Sequence, residues 1–454
     1  MKTREERDAM GIVSVPAEAY YGASTQRANQ NFTPTGLKLP DEFIRSLALI
    51  KYCAAAVNAD LAGLDQKLAE AIMVAAKEIM AGGLADNFVV DLFQTGSGTS
   101  TNMNMNEVLA ARANELLTGT KGGRDPVHPN DHVNLGQSSN DVIPTVIHIA
   151  SLSAIRHQLL PALDSLHQVL AQKALAFAGV RKIGRTHLQD AVPIFLGDEF
   201  GGYARQIELA IQRVKTAAEN FKELALGGTA VGNGLNTHPD FGARVIQMVS
   251  DRLQIDFTKA SNHFEAQSSK DAAVEVSGTL KTLAVGFTKI ANDIRWLASG
   301  PRCGIGEIQI PSLQPGSSIM PGKVNPVIPE SILQISAQVI GNDTTITLAG
   351  QGGVFELNTM MPVMAYNLLQ SVSLLAIGAR SFADKCIQGL TADAVKCNYY
   401  VDKSLALATY LVPQLGYDKA AAISKKAHAE GKKIADVVLA DGMLTPAELK
   451  KLIG

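Results

Sequence analysis

Apolar residues recur at intervals of three and four through much of the chain. Ile207, Ile211, Val214, Ala218 and Phe221 keep that rhythm, as do Val276, Leu280, Leu283, Phe287, Ile290, Ile294 and Leu297. On an α-helix such residues share one face, so each run predicts a helix with a stripe buried against other helices. Three more long helices are predicted over 143–177, 328–350 and 361–386, and Pro161 predicts a kink or break in the first. A helix of about 30 residues is roughly 45 Å long; five laid side by side form an elongated bundle. Residues 1–137 differ, with shorter helical patterns at 41–62, 66–82 and 106–117 between Gly- and Pro-rich connections. Residues 388–454 carry short helices. Thr445-Pro446-Ala447-Glu448 reads as a helix start, with Thr445 as N-cap and Glu448 closing a capping box. Alternation that suggests a strand is confined to 305–310.

Composition narrows the class. Of 454 residues, 46% are apolar, enough for a large core, and only 5% are aromatic. Ala, Leu and Ile dominate the apolar set, which favours helix. The formal net charge of −2 gives no sign of nucleic acid or an anionic membrane as partner. No apolar run has the length expected of a membrane span. The charged start, Met1-Lys2-Thr3-Arg4-Glu5-Glu6-Arg7-Asp8, lacks the apolar centre of a secretory peptide. Cys53, Cys303, Cys386 and Cys397 are too scattered for a CxxC pair or a Cys/His metal pattern, so ordinary thiols in a reduced, cytoplasmic compartment are expected.

Four polar islands interrupt the apolar chain. One is Thr95-Gly96-Ser97-Gly98-Thr99-Ser100-Thr101-Asn102-Met103-Asn104. A second runs from His128-Pro129-Asn130-Asp131-His132 to Gln137-Ser138-Ser139-Asn140-Asp141. A third is Gly184-Arg185-Thr186-His187-Leu188-Gln189-Asp190. The fourth, Gly316-Ser317-Ser318-Ile319-Met320-Pro321-Gly322-Lys323-Val324-Asn325-Pro326, reads as a shaped loop, because Gly and Pro punctuate it. Lys323 with Asn325 can grip a carboxylate, and Ser317 or Ser318 can serve as nucleophile or base. Together the islands offer hydroxyls, amides and backbone N–H groups, which suit a small dicarboxylate. Each also has a plain structural reading. The first can be a helix N-cap with a flexible lead-in, the fourth an ordinary surface turn, and His187 a satisfied histidine on an apolar helix. His128 and His132 stand four apart, a spacing that holds a metal on a helix, but Pro129 and the Pro-Asn-Asp turn favour a loop, so no metal is expected. The Gly96–Gly98 pair lacks the rest of either nucleotide fingerprint.

Taken together, the islands resemble the fumarase/aspartase superfamily, most closely its class II fumarases. The likeness spans nearly the whole chain. It begins with Asp8-Ala9-Met10-Gly11 and Tyr21-Gly22-Ala23-Ser24-Thr25-Gln26-Arg27. It runs through Gly227-Gly228-Thr229-Ala230-Val231-Gly232 and Gly300-Pro301-Arg302-Cys303-Gly304 to Gly416-Tyr417-Asp418-Lys419. The 316–326 run is the superfamily signature. His187 stands where aspartases carry Gln, and Leu235-Asn236-Thr237-His238-Pro239 is also fumarase-like. Asn233, Gly136 and Val327-Ile328-Pro329-Glu330 depart from the usual fumarase pattern.

The resemblance implies an all-α fold of three helical domains, 1–137, 138–387 and 388–454, the middle one a long five-helix bundle. Four subunits would pair their bundles into a twenty-helix core, with each active site shared by three subunits. The implied activity is reversible hydration of fumarate to (S)-malate through an aci-carboxylate intermediate, without metal or organic cofactor. In that scheme Ser317 is the base, His187 the acid, and Glu330 the group that orients the His187 ring. Ser97, Gly98, Thr99, Ser138, Ser139, Asn140, Thr186, Ser318, Lys323, Val324 and Asn325 hold the substrate. His128, Pro129, Asn130 and Asp131 match a second, non-catalytic dicarboxylate site. The alternatives are aspartate ammonia-lyase, or another fumarate-releasing lyase of the superfamily, and a structural protein of the lens-crystallin kind. His187 argues against the first, and the presence of Ser317, Lys323, Asn325 and Glu330 argues against the last.

Overall fold

The predicted stripes are buried. All twelve residues of the two stripes, on helices Leu196–Ala218 and Asp271–Leu297 and the turn Glu219–Lys222, are at most 6% exposed. The computed structural model describes residues 2–32 and 34–453. Helices dominate it, and the strands among the described residues form only two-stranded sheets. The chain is therefore all-α.

Two compact units are formed. The first comprises Met1–Pro161, Ala210–Ala284 and Ile335–Ala376; the second comprises Ala162–Leu209, Val285–Gln334 and Ile377–Gly454. In the first unit, helix Asp41–Asp60 packs on Gln66–Met80, Ser139–Ala154 and Phe241–Leu253, while Thr99–Thr118 packs on Gln66–Met80. Polar contacts also join the long helices there. Asp343 accepts from Ser277 Oγ at 2.8 Å and Lys281 Nζ at 2.6 Å, and Asn342 Nδ2 donates to Ser371 Oγ at 3.0 Å. Glu107 caps the start of helix Ala23–Asn31, accepting the N–H groups of Gly22, Ser24 and Thr25. In the second unit the C-terminal helices close over their own core of Val401, Leu411, Ile423, Val437, Val438 and Leu449. Thr445 and Glu448 form the expected capping box.

Several details differ from expectation. Helix 106–117 begins earlier, at Thr99, because the polar run 99–104 hides the helical period. The long helix expected at 143–177 starts at Ser139 and contains Pro144. It then passes through a π-helical turn, Ile155–Leu159, just before Pro161. A proline supplies no N–H to the ladder, so the break falls where it was predicted. The strand expected at 305–310 is only Ile308–Gln309, paired with Thr391–Ala392. Two longer hairpins, Thr3–Asp8 with Gly11–Pro16 and Arg181–Thr186 with Gln189–Phe195, carry no clear alternation in the sequence. Finally, Met361–Ile387 is long and apolar enough to cross a membrane by length and composition. Its apolar side faces protein instead: Leu368, Val372, Leu375 and Phe382 are wholly buried.

Candidate active site

In the first unit, two helix N-termini meet. Helix Thr99–Thr118 starts from Gly98, whose φ of +73° suits glycine, and has no side-chain cap. Helix Ser139–Ala154 starts from Ser138 in a capping box with Asp141. A short hydroxyl chain joins them: Ser97 Oγ lies 2.8 Å from Thr99 Oγ1, which lies 2.6 Å from Ser139 Oγ. Helix N-termini carry unpaired N–H groups and a positive dipole end, so this corner favours an anion. Asn140 Nδ2 donates to the Ala230 carbonyl at 2.8 Å and ties the corner to the 227–232 loop. Gly96 is required beneath it, since a Cβ there would overlap the Thr359 carbonyl.

The corner rests on buried charge. Asp141, wholly buried, accepts the N–H groups of Ser138 at 2.9 Å and of Gly227 and Thr229 at 3.0 Å. Burial pushes its carboxyl up to about 6. Lys51, also wholly buried, donates to Asn134 Oδ1 at 3.0 Å and Gln137 Oε1 at 2.9 Å; burial pushes it down to about 7.

The second dicarboxylate candidate lies on a separate turn of this unit. His128 caps that turn, its Nδ1 accepting from the N–H groups of Asn130 and Asp131. Pro129 is buried, and Asn130 and Asp131 are exposed. Burial, then the nearby Arg124, lowers the His128 pKa. Because His132 Nδ1 accepts the His128 N–H, the two rings are committed to backbone caps.

In the second unit, Thr186 and His187 sit at a hairpin tip, not on a helix. Thr186 pairs with Gln189, and His187 and Leu188 form the two-residue turn with φ of +55° and +60°. This type I′ geometry normally takes Asn-Gly; side chains with a Cβ are strained there by about 1–3 kcal/mol each. The strain presents His187 and Leu188 to solvent, beside a groove of about 1220 Å³ lined by Leu188, Asp190, Lys403, Tyr417 and His428. The hairpin is pinned from below. Arg185 makes a two-pronged pair with Glu307 at 2.9 and 3.0 Å. Lys182, 1% exposed, reaches Glu199 at 2.7 Å and Glu307 at 3.3 Å. The Glu307 carbonyl accepts from Asp393 N–H.

The signature loop of this unit is closed on itself. The Gly316 N–H donates to the Lys323 carbonyl at 2.8 Å, and Asn325 Nδ2 donates to the Gly316 carbonyl at 2.7 Å. A Cβ at Gly316 would overlap the Lys323 carbonyl. Ser317 Oγ accepts two backbone N–H groups, from Ile319 at 3.2 Å and Met320 at 3.0 Å. Lys323 Nζ donates to Asn325 Oδ1 at 2.6 Å. Ser318, Lys323 and Val324 are exposed, and Glu330 is half-buried in the first turn of Val327–Gly350. No hydrogen bond or ion pair joins His187 to Ser317, Lys323, Asn325 or Glu330 among the described residues.

Sequence reasoning missed Lys51, Asp141, Lys182, Arg185 and Glu307 as supports. The signal was a lone charge in an apolar run: Lys51 within Leu47-Ala48-Leu49-Ile50-Lys51-Tyr52-Cys53-Ala54, and Glu307 within 305–310. For Asp141 it was a position three residues after an N-cap serine.

The sequence matches the family described as lyase over residues 11–341 and the fumarase C C-terminus over residues 407–454. It is 54% identical over 442 residues to a class II fumarate hydratase of Nitrosomonas europaea, covering 97% of this chain and 96% of that one. It is 49% identical over 451 residues to the class II fumarate hydratase of Thermosynechococcus vestitus, covering 99% and 97% of the two chains. The fold matches a crystal structure of class II fumarase from Schistosoma mansoni with a TM-score of 0.96, 40% identity and coverage of 100% and 98%.

Glu307 gives a direct test of the support beneath the hairpin. Removing one partner of a buried ionic network leaves the others uncompensated and costs about 3–5 kcal/mol. Glu307→Gln is expected to lower unfolding stability by that order in urea denaturation. A loss under about 1 kcal/mol, the range of exposed pairs, would contradict the assignment.

Proposed function

The chain belongs to the class II fumarate hydratase family of lyases, and from that membership we propose how its residues carry out the reversible hydration of fumarate to (S)-malate. Ser317 removes the proton from the carbon beside a carboxylate of malate. The electrons pass into that carboxylate, giving an aci-carboxylate, and hydroxide leaves the neighbouring carbon as His187 protonates it. In the hydration direction the same steps run in reverse.

The observation that carries this reading is the pair of N–H groups on Ser317 Oγ. A serine hydroxyl is a poor base near neutral pH unless its alkoxide is stabilised. Two preorganised N–H donors supply that stabilisation without reorganisation at the moment of reaction. Lys323 and Asn325, already joined, meet the extra charge of the aci-carboxylate. Ser97, Gly98, Thr99, Ser138, Ser139, Asn140, Thr186, Ser318 and Val324 hold the substrate carboxylates. His128, Pro129, Asn130 and Asp131 form a separate dicarboxylate site.

The three sets of residues serve one reaction if neighbouring subunits bring them together. We therefore assign a homotetramer of three-domain subunits, divided at 137 and 387, with a bundle core and active sites shared by three subunits. In that arrangement Glu330 orients the His187 ring from another subunit, and no cofactor is used. The exposed apolar side chains Val285, Leu348 and Ile377 on the long helices support subunit packing. Four free cysteines support a cytoplasmic location; recovery of the enzyme outside the cytoplasmic fraction of its own cells would contradict it.

Ser317→Ala is expected to lower kcat by about 10²–10⁴-fold while a competitive dicarboxylate still binds. Near-normal turnover would remove Ser317 from the role of base. His187→Asn should lose about 10²-fold or more with malate as substrate, and a mild effect would move the acid elsewhere. Both are read from the absorbance of fumarate.

A further inference from the structure

We infer that Lys51 is a positioning residue for the substrate carboxylate, acting through Asn134 and Gln137. The inference rests on the reading of Thr99 and Ser138–Asn140 as a carboxylate corner. Lys51 lies in the middle of helix Asp41–Asp60 and is 0% exposed. A lysine in such a place is expensive unless its donors are used. Here they are used on one segment. Asn134 Oδ1 and Gln137 Oε1 both accept from Nζ. Asn134 Nδ2 in turn donates to the Gln137 carbonyl at 3.0 Å, and Gln137 Nε2 donates to the Val133 and Leu135 carbonyls. Residues 133–137 are thereby folded around the ammonium, and Ser138, the N-cap of the corner, is the next residue.

The same centre reaches the other helix. Asn102 and Asn106, on Thr99–Thr118, each donate through Nδ2 to Asn134 Oδ1 at 3.1 Å. Their own Oδ1 atoms are buried and take no partner in the structure. Asn134 Oδ1 thus takes three donors at once, Lys51 Nζ, Asn102 Nδ2 and Asn106 Nδ2, and is the meeting point of helices Asp41–Asp60 and Thr99–Thr118 with the 133–137 turn. Both walls of the corner, 97–99 and 138–140, are tied to Asn134, which Lys51 holds. Asp141 fixes the far side of Ser138 to the 227–229 backbone. A shift of the corner by a fraction of an ångström would spoil several short bonds to a carboxylate at once.

The test is Lys51→Met, read as KM for malate, kcat, the inhibition constant of succinate and the melting temperature. KM and the succinate constant are expected to rise together by about tenfold or more, with kcat changing by less than about threefold. A folded Lys51→Met enzyme with both constants within about twofold of wild type would overturn the inference, even if its melting temperature falls, because the role would then be structural only. If Lys51→Met does not fold, Gln137→Leu decides on the same readings, since Gln137 is only half-buried. Asn140→Ala separates this inference from the one beneath it. If Asn140→Ala also leaves both constants unchanged, the carboxylate corner itself is wrong; if it raises them and Lys51→Met does not, only the role of Lys51 fails.

Discussion

Asp141 takes three backbone N–H groups from two separate stretches of chain, and Glu307 takes Arg185 and Lys182 at once. A carboxylate in a protein interior is stable only when donors converge on it in this way. That constraint runs in both directions. The donors must be delivered by rigid elements, and once delivered they fix those elements relative to each other. Glu107 does the same for the start of helix Ala23–Asn31. Loops that would otherwise wander are therefore held by buried charge, and their tips are free to be polar, exposed and strained.

The proposed function is built on those tips. The His187-Leu188 turn holds two non-glycine residues at positive φ, a conformation that persists only because the strands on either side are pinned. The signature loop closes through Gly316, Lys323 and Asn325 and aims two N–H groups at Ser317. The corner at 97–99 and 138–140 gathers hydroxyls where two helix dipoles point outward. None of these groups is chemically unusual. Their value for a dicarboxylate reaction lies in being fixed before substrate arrives.

The sequence was most legible where one period dominates. The stripes through Ile207 and Val276, the break near Pro161 and the Thr445 capping box all follow from local rules, and the structure has each of them. The four polar islands were visible because they interrupt an apolar background. Their arrangement was not, because it depends on contacts across long stretches of chain: Ser139 with Thr99, Asp141 with Gly227, Arg185 with Glu307. The His187 hairpin was hidden for a different reason. Its turn residues, His and Leu, lack the Asn-Gly signal that positive φ usually demands, so tertiary anchoring has overridden local preference. Met361–Ile387 shows the opposite ambiguity, since burial in a protein core and burial in a bilayer select the same composition.

Among the described residues no hydrogen bond or ion pair joins His187 to Ser317, yet the proposed reaction needs both at one substrate. The proposed tetramer would supply them from neighbouring subunits, and a hybrid experiment measures that most directly. Purified His187→Asn and Ser317→Ala enzymes, each nearly inactive alone, are dissociated, mixed and reassembled. If the acid and the base come from different subunits, some sites in the hybrids receive an intact His187 from one variant and an intact Ser317 from the other, and malate turnover returns. If both come from the same subunit, every site keeps one lesion, and the mixture stays as inactive as its parts.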